Sequence, residues 1–192
     1  MTSVKFIYSK TFAAIMFILL CYIMCSYPAY IHSIKHDDTL ITEPIIVDVR
    51  SPLEIKVSDY ILHKNNDLEQ NVADTLASVI IKESKTNHIK INLILGIIEA
   101  ESNFEQYAIS SSSAIGYMQI LPKWHKDKIA ELKNHDIYAT ESNIHLGVRI
   151  LKDCMELHHH NIRKSLSCYN GSQNDTTMKY ANIVLSKVPK AV

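Results

Sequence analysis

Apolar residues are distributed along this 192-residue chain in three regimes. Residues 11–31 (TFAAIMFILLCYIMCSYPAYI) run without a single charge, and Lys5 and Lys10 precede them. Residues 32–65 mix polarity and sustain no helical period, which predicts a connector. Inside it, residues 41–49 (ITEPIIVDV) are β-branched enough for a short strand. Pro44 favours an extended segment along the domain surface instead. From Leu68 onward the pattern turns helical. Val72, Leu76, Val79 and Ile80 recur at three- and four-residue steps, predicting a helix that ends near Ser84 or Lys85. A second helix is predicted over 91–102, and a shorter one begins near Pro122, since proline suits a first turn. Residues 142–157 carry Ile144, Val148, Leu151 and Met155 on one face. Segments 162–169 and 176–187 complete the set, the last with Asn174 or Asp175 as its cap. Together these elements predict one mainly α domain over residues 66–192.

The uncharged length of 11–31 is about what a helix needs to cross a bilayer. The lysines before it would hold the N-terminus inside and export the rest of the chain. A cleaved signal peptide is the rival reading of residues 1–31, because a short charged region and an apolar region are both present. Its cleavage sites are poor: Ala29 has Tyr27 two residues before it, and Ser26 has Met24. Neither Cys21 nor Cys25 follows the small residue expected before a lipidated cysteine. An uncleaved anchor is therefore favoured. Export leaves two readings of Cys154 and Cys168, a disulfide or two unrelated buried thiols.

Composition excludes several classes. Lys+Arg and Asp+Glu number 20 each, so no global field draws nucleic acid to the chain. Four glycines and five prolines argue against a turn-rich β architecture. No CxxC pair exists, and the adjacent His158, His159 and His160 cannot all face one ion on a helix. No metal or cofactor is expected. Trp124 reads as a packing anchor that could lie near a cleft.

The sharpest oddity is in the 91–102 helix. Ile94, Ile97 and Ile98 form an apolar stripe, and Glu101 falls on it seven, four and three residues further on. Glu99 is rotated roughly 200° from Glu101 about the helix axis and is expected to face elsewhere. A carboxyl at the end of a buried stripe is desolvated, which raises its pKa and lets it hold a proton near neutrality. Glycoside cleavage asks this of a general acid. A glutamate that merely ends the helix and reaches water would look the same by periodicity.

The surrounding motifs separate the two readings. Glu101-Ser102-Asn103-Phe104, then Gly116-Tyr117-Met118-Gln119-Ile120-Leu121-Pro122, then Tyr169-Asn170-Gly171 resemble the lytic transglycosylase domain of the lysozyme-like superfamily. Ala108 and Ser110 resemble its A-x-S, and Asn143-Ile144, Gly147 and Leu151 resemble its N-I-x-x-G-x-x-x-L helix. Tyr180 and Val184 match the tyrosine and valine of its final helix. Several blocks in order at family spacing are a specific signal. The resemblance covers roughly residues 74–187.

The resemblance implies a single lysozyme-like (goose-type/lytic transglycosylase) helical domain, and residues 11–31, read as an inner-membrane segment, would place it in the periplasm. It also implies peptidoglycan glycan strands as substrate. Glu101 would protonate the glycosidic oxygen and then act as base. The sugar's own 6-hydroxyl would close a 1,6-anhydromuramyl end, so no second carboxylate is needed. Gln119 and Tyr169 would hydrogen-bond the acid or the sugar, with Asn170 on the same wall. Met118 would line the sugar cleft, and Phe104 would pack. Ser102 and Ser110 read as helix-end and loop bonding groups, Ser110 beside the substrate. The chain departs from the family pattern at three places. Ser113 stands where glycine is usual, Tyr117 replaces leucine and would offer sugar a stacking surface, and the glycine after Asn170 comes one place early. A hydrolytic lysozyme-type muramidase and a non-catalytic wall-binding scaffold remain as alternatives. Small size and a tether suggest service to a secretion, conjugation or pilus apparatus spanning the envelope.

Overall fold

Ser51 starts a helix that the hydrophobic pattern does not announce. Its hydroxyl accepts from the Glu54 N–H at 3.2 Å, and the Glu54 carboxylate accepts from the Ser51 N–H at 2.7 Å. This reciprocal capping box, with Pro52 at the first helical position, launches α1, Pro52–Lys64. The connector expected over 32–65 is thus helical in its last third. α1 buries only Val57, Ser58 and Ile61, too narrow a face for periodicity to detect. The S-P-L-E signature was the available signal. Polar contacts fasten α1 to the next helix: the Asp74 carboxylate accepts from Ser58 (2.6 Å) and Gln70 (2.9 Å) and pairs with Arg50.

The computed structural model describes residues 22, 50–132 and 136–190. The possible strand at 41–49 and the apolar run 11–31, Tyr22 excepted, lie outside them. Among the described residues no helix is long and apolar enough to cross a membrane. The chain divides into units Met1–Asp48 and Val49–Val192, and the second holds every helix from α1 to the C-terminus.

After α1 come α2 (Gln70–Asn87), α3 (Ile91–Glu101), a 3-10 turn at Pro122–Trp124, α4 (Lys126–Ala130), α5 (Thr140–Leu157), α6 (Ile162–Tyr169) and α7 (Lys179–Lys187). The expectation of a mainly α fold holds. The helix expected at Pro122 resolves into the 3-10 turn and the five-residue α4. The last helix starts three residues later than expected, because the Asp175 side chain holds a turn there, accepting from the Thr177 and Lys179 N–H groups.

α3 is the centre of the core. Leu93, Ile94, Leu95, Ile97 and Ile98 are all buried, so the helix is enclosed on every side and not on one stripe. Each such side chain contributes about 1.5–3 kcal/mol relative to exposure. α3 packs against α2 and α7, while α5 packs on α2 and α6 packs on α5 and α7. Cys154 on α5 and Cys168 on α6 form a disulfide with Cα atoms 5.8 Å apart. That bond ties the C-terminal end of α6, where Tyr169 and Asn170 sit, to the side of α5.

Candidate active site

Glu101 is the last residue of α3, and its three stripe partners Ile94, Ile97 and Ile98 are fully buried. Burial pushes its pKa above the usual carboxylate range, because the ionised form loses its water. One contact opposes this: the Tyr180 hydroxyl on α7 donates to Glu101 Oε1 at 2.5 Å. Tyr180 keeps its proton, since burial and the neighbouring Glu101 both raise its pKa. A proton donor is thereby aimed and held in a poorly solvated setting.

Glu99, two residues earlier, has the opposite environment. Its carboxylate accepts from Tyr60 (2.6 Å) and from Lys64 and Lys187 (3.3 and 3.2 Å), which join α1, α3 and α7. Burial alone would raise its pKa, but these donors outweigh burial and lower it. Glu99 stays ionised in a structural ion cluster. Glu105 accepts instead from Asn65, at 3.0 Å.

The second wall is the loop between α3 and the 3-10 turn. It folds on itself through isolated antiparallel bridges, Ile109 to Ile115 and Ile115 to Ile120. Asn143, fully buried on α5, clamps it. Its amide donates to the Ile115 and Ile137 carbonyls (3.0 and 2.9 Å), and its Oδ1 accepts from the Met118 N–H at 2.8 Å. Gly116, at φ +77°, leaves room for this clamp, since a Cβ there would lie 2.3 Å from Asn143 Nδ2. One turn along α5, Gly147 makes the seat for Met118, whose Sδ would meet a Cβ at 2.4 Å. Tyr169 closes the set by donating to the Met118 carbonyl at 2.7 Å.

Four non-glycine residues of this segment have left-handed φ: Asn103 (52°), Phe104 (66°), Ser113 (65°) and Gln119 (47°). Such strain costs about 1–3 kcal/mol each and persists only where surrounding contacts over-determine it. Ser113, like Asn103, is exposed, so little packing supports its conformation. Ser113→Gly should therefore raise stability by about 1 kcal/mol in urea denaturation. A loss would mean that the serine side chain stabilises the turn.

A cavity of about 310 Å³ opens beside Glu101, lined also by Ser110, Ser112, Gln119, His125, Ile150, Tyr169 and Asn170 among others. The structure therefore brings together Glu101, Ser110, Gln119, Tyr169 and Asn170. Gln119 does not bond the acid; its amide donates to the Ala108 and Gly116 carbonyls. Ser110 Oγ accepts from the Ala114 N–H at 3.0 Å, a loop-bonding role. Ser102 ends the helix, donating to the Tyr117 carbonyl at 2.9 Å.

Two expected substrate contacts need correction. Met118 and Tyr117 are fully buried, so neither presents its side chain to a ligand. Met118 is wedged onto Gly147, and the loop clamp turns Tyr117 into the core. Phe104 packs in the core as expected. Sequence reasoning gave Tyr180 no role beside Glu101, and Asn143 none as a clamp. Both stood among the matched positions, but a contact across 79 residues has no periodic trace.

Residues 78–183 match the family model described as Transglycosylase SLT domain. Among curated proteins, the "Membrane-bound lytic murein transglycosylase C" of Mannheimia succiniciproducens is 33% identical over 113 residues, covering 55% of this chain and 29% of that protein. Its namesake in Actinobacillus pleuropneumoniae is 36% identical over 85 residues, covering 39% and 23%. The chain thus spans less than a third of the length of these relatives. Among solved structures, an inactive mutant of the lytic transglycosylase Slt from Pseudomonas aeruginosa aligns with TM-score 0.51 and 20% identity, over 58% of this chain and 23% of that one. That likeness concerns the fold.

Proposed function

The chain belongs to the transglycosylase SLT domain family, and from this we propose that it cleaves the MurNAc–GlcNAc β-1,4 bond of peptidoglycan, leaving 1,6-anhydroMurNAc ends. The observation that carries the reading is a lone, desolvated acid. Glu101 is the one carboxylate lining its cavity among the described residues, while Glu99 and Glu105 are committed elsewhere. A hydrolase of the usual kind needs a second carboxylate, to activate water or to attack the sugar. A transglycosylase does not. Glu101 gives its proton to the bridging oxygen as the C1–O bond breaks, and the leaving GlcNAc departs as an alcohol. The ionised carboxylate then takes the proton of the muramyl 6-hydroxyl as that oxygen bonds C1. Acid and base are the same group, so the proton count closes without water.

Tyr180 fixes the rotamer of the acid, and its hydrogen bond stabilises the carboxylate formed midway. Gln119, Tyr169 and Asn170 line the sugar site. The membrane-bound relatives and the apolar residues 11–31 support an envelope location with the domain facing the wall. Service to an envelope-spanning machine rests on the small domain and that apolar segment alone. The test is a digest of purified sacculi analysed by mass spectrometry. Anhydro-muropeptides are expected. Reducing ends would make the enzyme a muramidase, and no release of fragments would make it a binding scaffold.

A further inference from the structure

The Glu101 cavity does not end at its rim. A second space of about 650 Å³ continues from it, and the two share Leu121, His125, Ile150, Tyr169 and Asn170. The far part of this groove is lined by Trp124 on the 3-10 turn and by the Cys154–Cys168 disulfide. Trp124 is 70% exposed, so it anchors no core. Among the exposed large hydrophobics, Tyr107, Ile109, Leu157 and Ile183 line neither space, whereas Trp124 lines the second. Leaving an indole in water forgoes one of the largest burial gains a side chain has. The Lys123 ammonium lies over the ring, 5.4 Å from its centroid.

The polar complement is placed for hydroxyl and amide groups. Lys128 pairs with Asp153 at 2.9 Å, and both line the same space. Burial first, and Lys128 second, lower the pKa of His125, so a neutral imidazole stands where the two cavities meet. An aromatic plate beside a neutral imidazole, the Lys128–Asp153 pair and the Asp127 carboxylate suits a pyranose ring, whose C–H face is apolar and whose hydroxyl edge bonds such groups.

We propose that Trp124 is a positioning residue for the glycan strand. It would carry a sugar next to the scissile bond, so that one continuous groove from Glu101 to Trp124 holds at least two saccharides. This rests on the glycan-cleaving function proposed for Glu101. It gives Trp124 a role in holding the strand and none in the bond-breaking step, which belongs to Glu101.

Trp124 is the chain's sole tryptophan, so its fluorescence reports this position alone. Titrating the intact protein with chitotetraose, a β-1,4 GlcNAc tetramer, should shift the emission blue and change its intensity saturably. On solubilised glycan strands, Trp124→Ala should raise KM about tenfold with kcat within about twofold, the size expected for loss of one stacked ring. Trp124→Tyr should recover most of the loss. A silent emission through saturating tetramer, together with an unchanged KM in Trp124→Ala, would overturn the assignment. So would a fall in kcat alone. Wild-type release of wall fragments, run in parallel, separates the two levels: an active enzyme with a silent Trp124 sinks only this inference, and an inactive one sinks both.

Discussion

Glu101→Gln should lower glycan cleavage about 10²–10⁴-fold, the usual contribution of a positioned general acid and base. Glutamine keeps the shape and can still accept from the Tyr180 hydroxyl, so folding and wall binding should survive. The pH behaviour gives a second readout. Burial raises the Glu101 pKa, so the protonated, competent acid persists to higher pH than an exposed glutamate would allow. Activity should fall on the alkaline side as pH rises through that raised value. Tyr180→Phe removes the contact that favours the carboxylate, so this limb should move to still higher pH as the rate falls.

Stability should follow the same direction with pH, and here the substitution should help. With a folded pKa above its unfolded value of about 4.3, Glu101 makes the native state bind more protons than the unfolded one between those two values. Wild-type stability drops as pH rises through that window, and above it the full cost of a buried charge is present. Glutamine carries no such cost. Thermal unfolding should therefore show Glu101→Gln at least as stable as wild type at pH 7, and equal to it below about pH 4. A variant that kept a tenth of wild-type activity would show that another group is the acid.

Asn143→Ala should cost about 3–5 kcal/mol by urea denaturation, the largest stability loss expected from a residue without catalytic duty. Two buried backbone groups lose their partner together, the Met118 N–H and the Ile137 carbonyl, and the Ile115 carbonyl is left with the Ile120 N–H alone. An orphaned buried group costs about 1–3 kcal/mol, less where water enters the gap left behind. The loop would also lose its register against α5, so Gln119 and the Met118 carbonyl that holds Tyr169 would both shift. Asn143→Asp is the informative control. It keeps the acceptor for Met118 but replaces two donated bonds with a carboxylate facing two carbonyls, so it should be nearly as damaging. A loss below about 1 kcal/mol for Asn143→Ala would show that the loop is held by other contacts.

Much of this could be read along the chain, because helices report themselves locally. The periods that placed α2, α3, α5 and α6 within about three residues of their ends come from one buried face repeating every turn. Glu101 was found because an acid on an isoleucine stripe breaks such a pattern. The ordered E-S-x-F, G-x-M-Q-x-x-P and Y-N blocks supplied its chemistry. α1 was missed because only three of its residues are buried and its signal is a cap, not a period.

Tertiary structure decided what lies between elements. Met118 and Tyr117 belong to the same motif as Gln119, yet the Asn143 clamp and the Gly147 seat send them into the core and leave Gln119 in the cleft. Tyr180 reaches Glu101 only because α7 packs on α3, and Cys154 meets Cys168 only because α6 folds back on α5. Trp124, which reads as an anchor in sequence, stands at the rim of a groove. The physical reason is one of range. Side-chain burial within a helix is set by neighbours three and four residues away, whereas the partner of a catalytic group is set by which helices cross, and no local pattern encodes that.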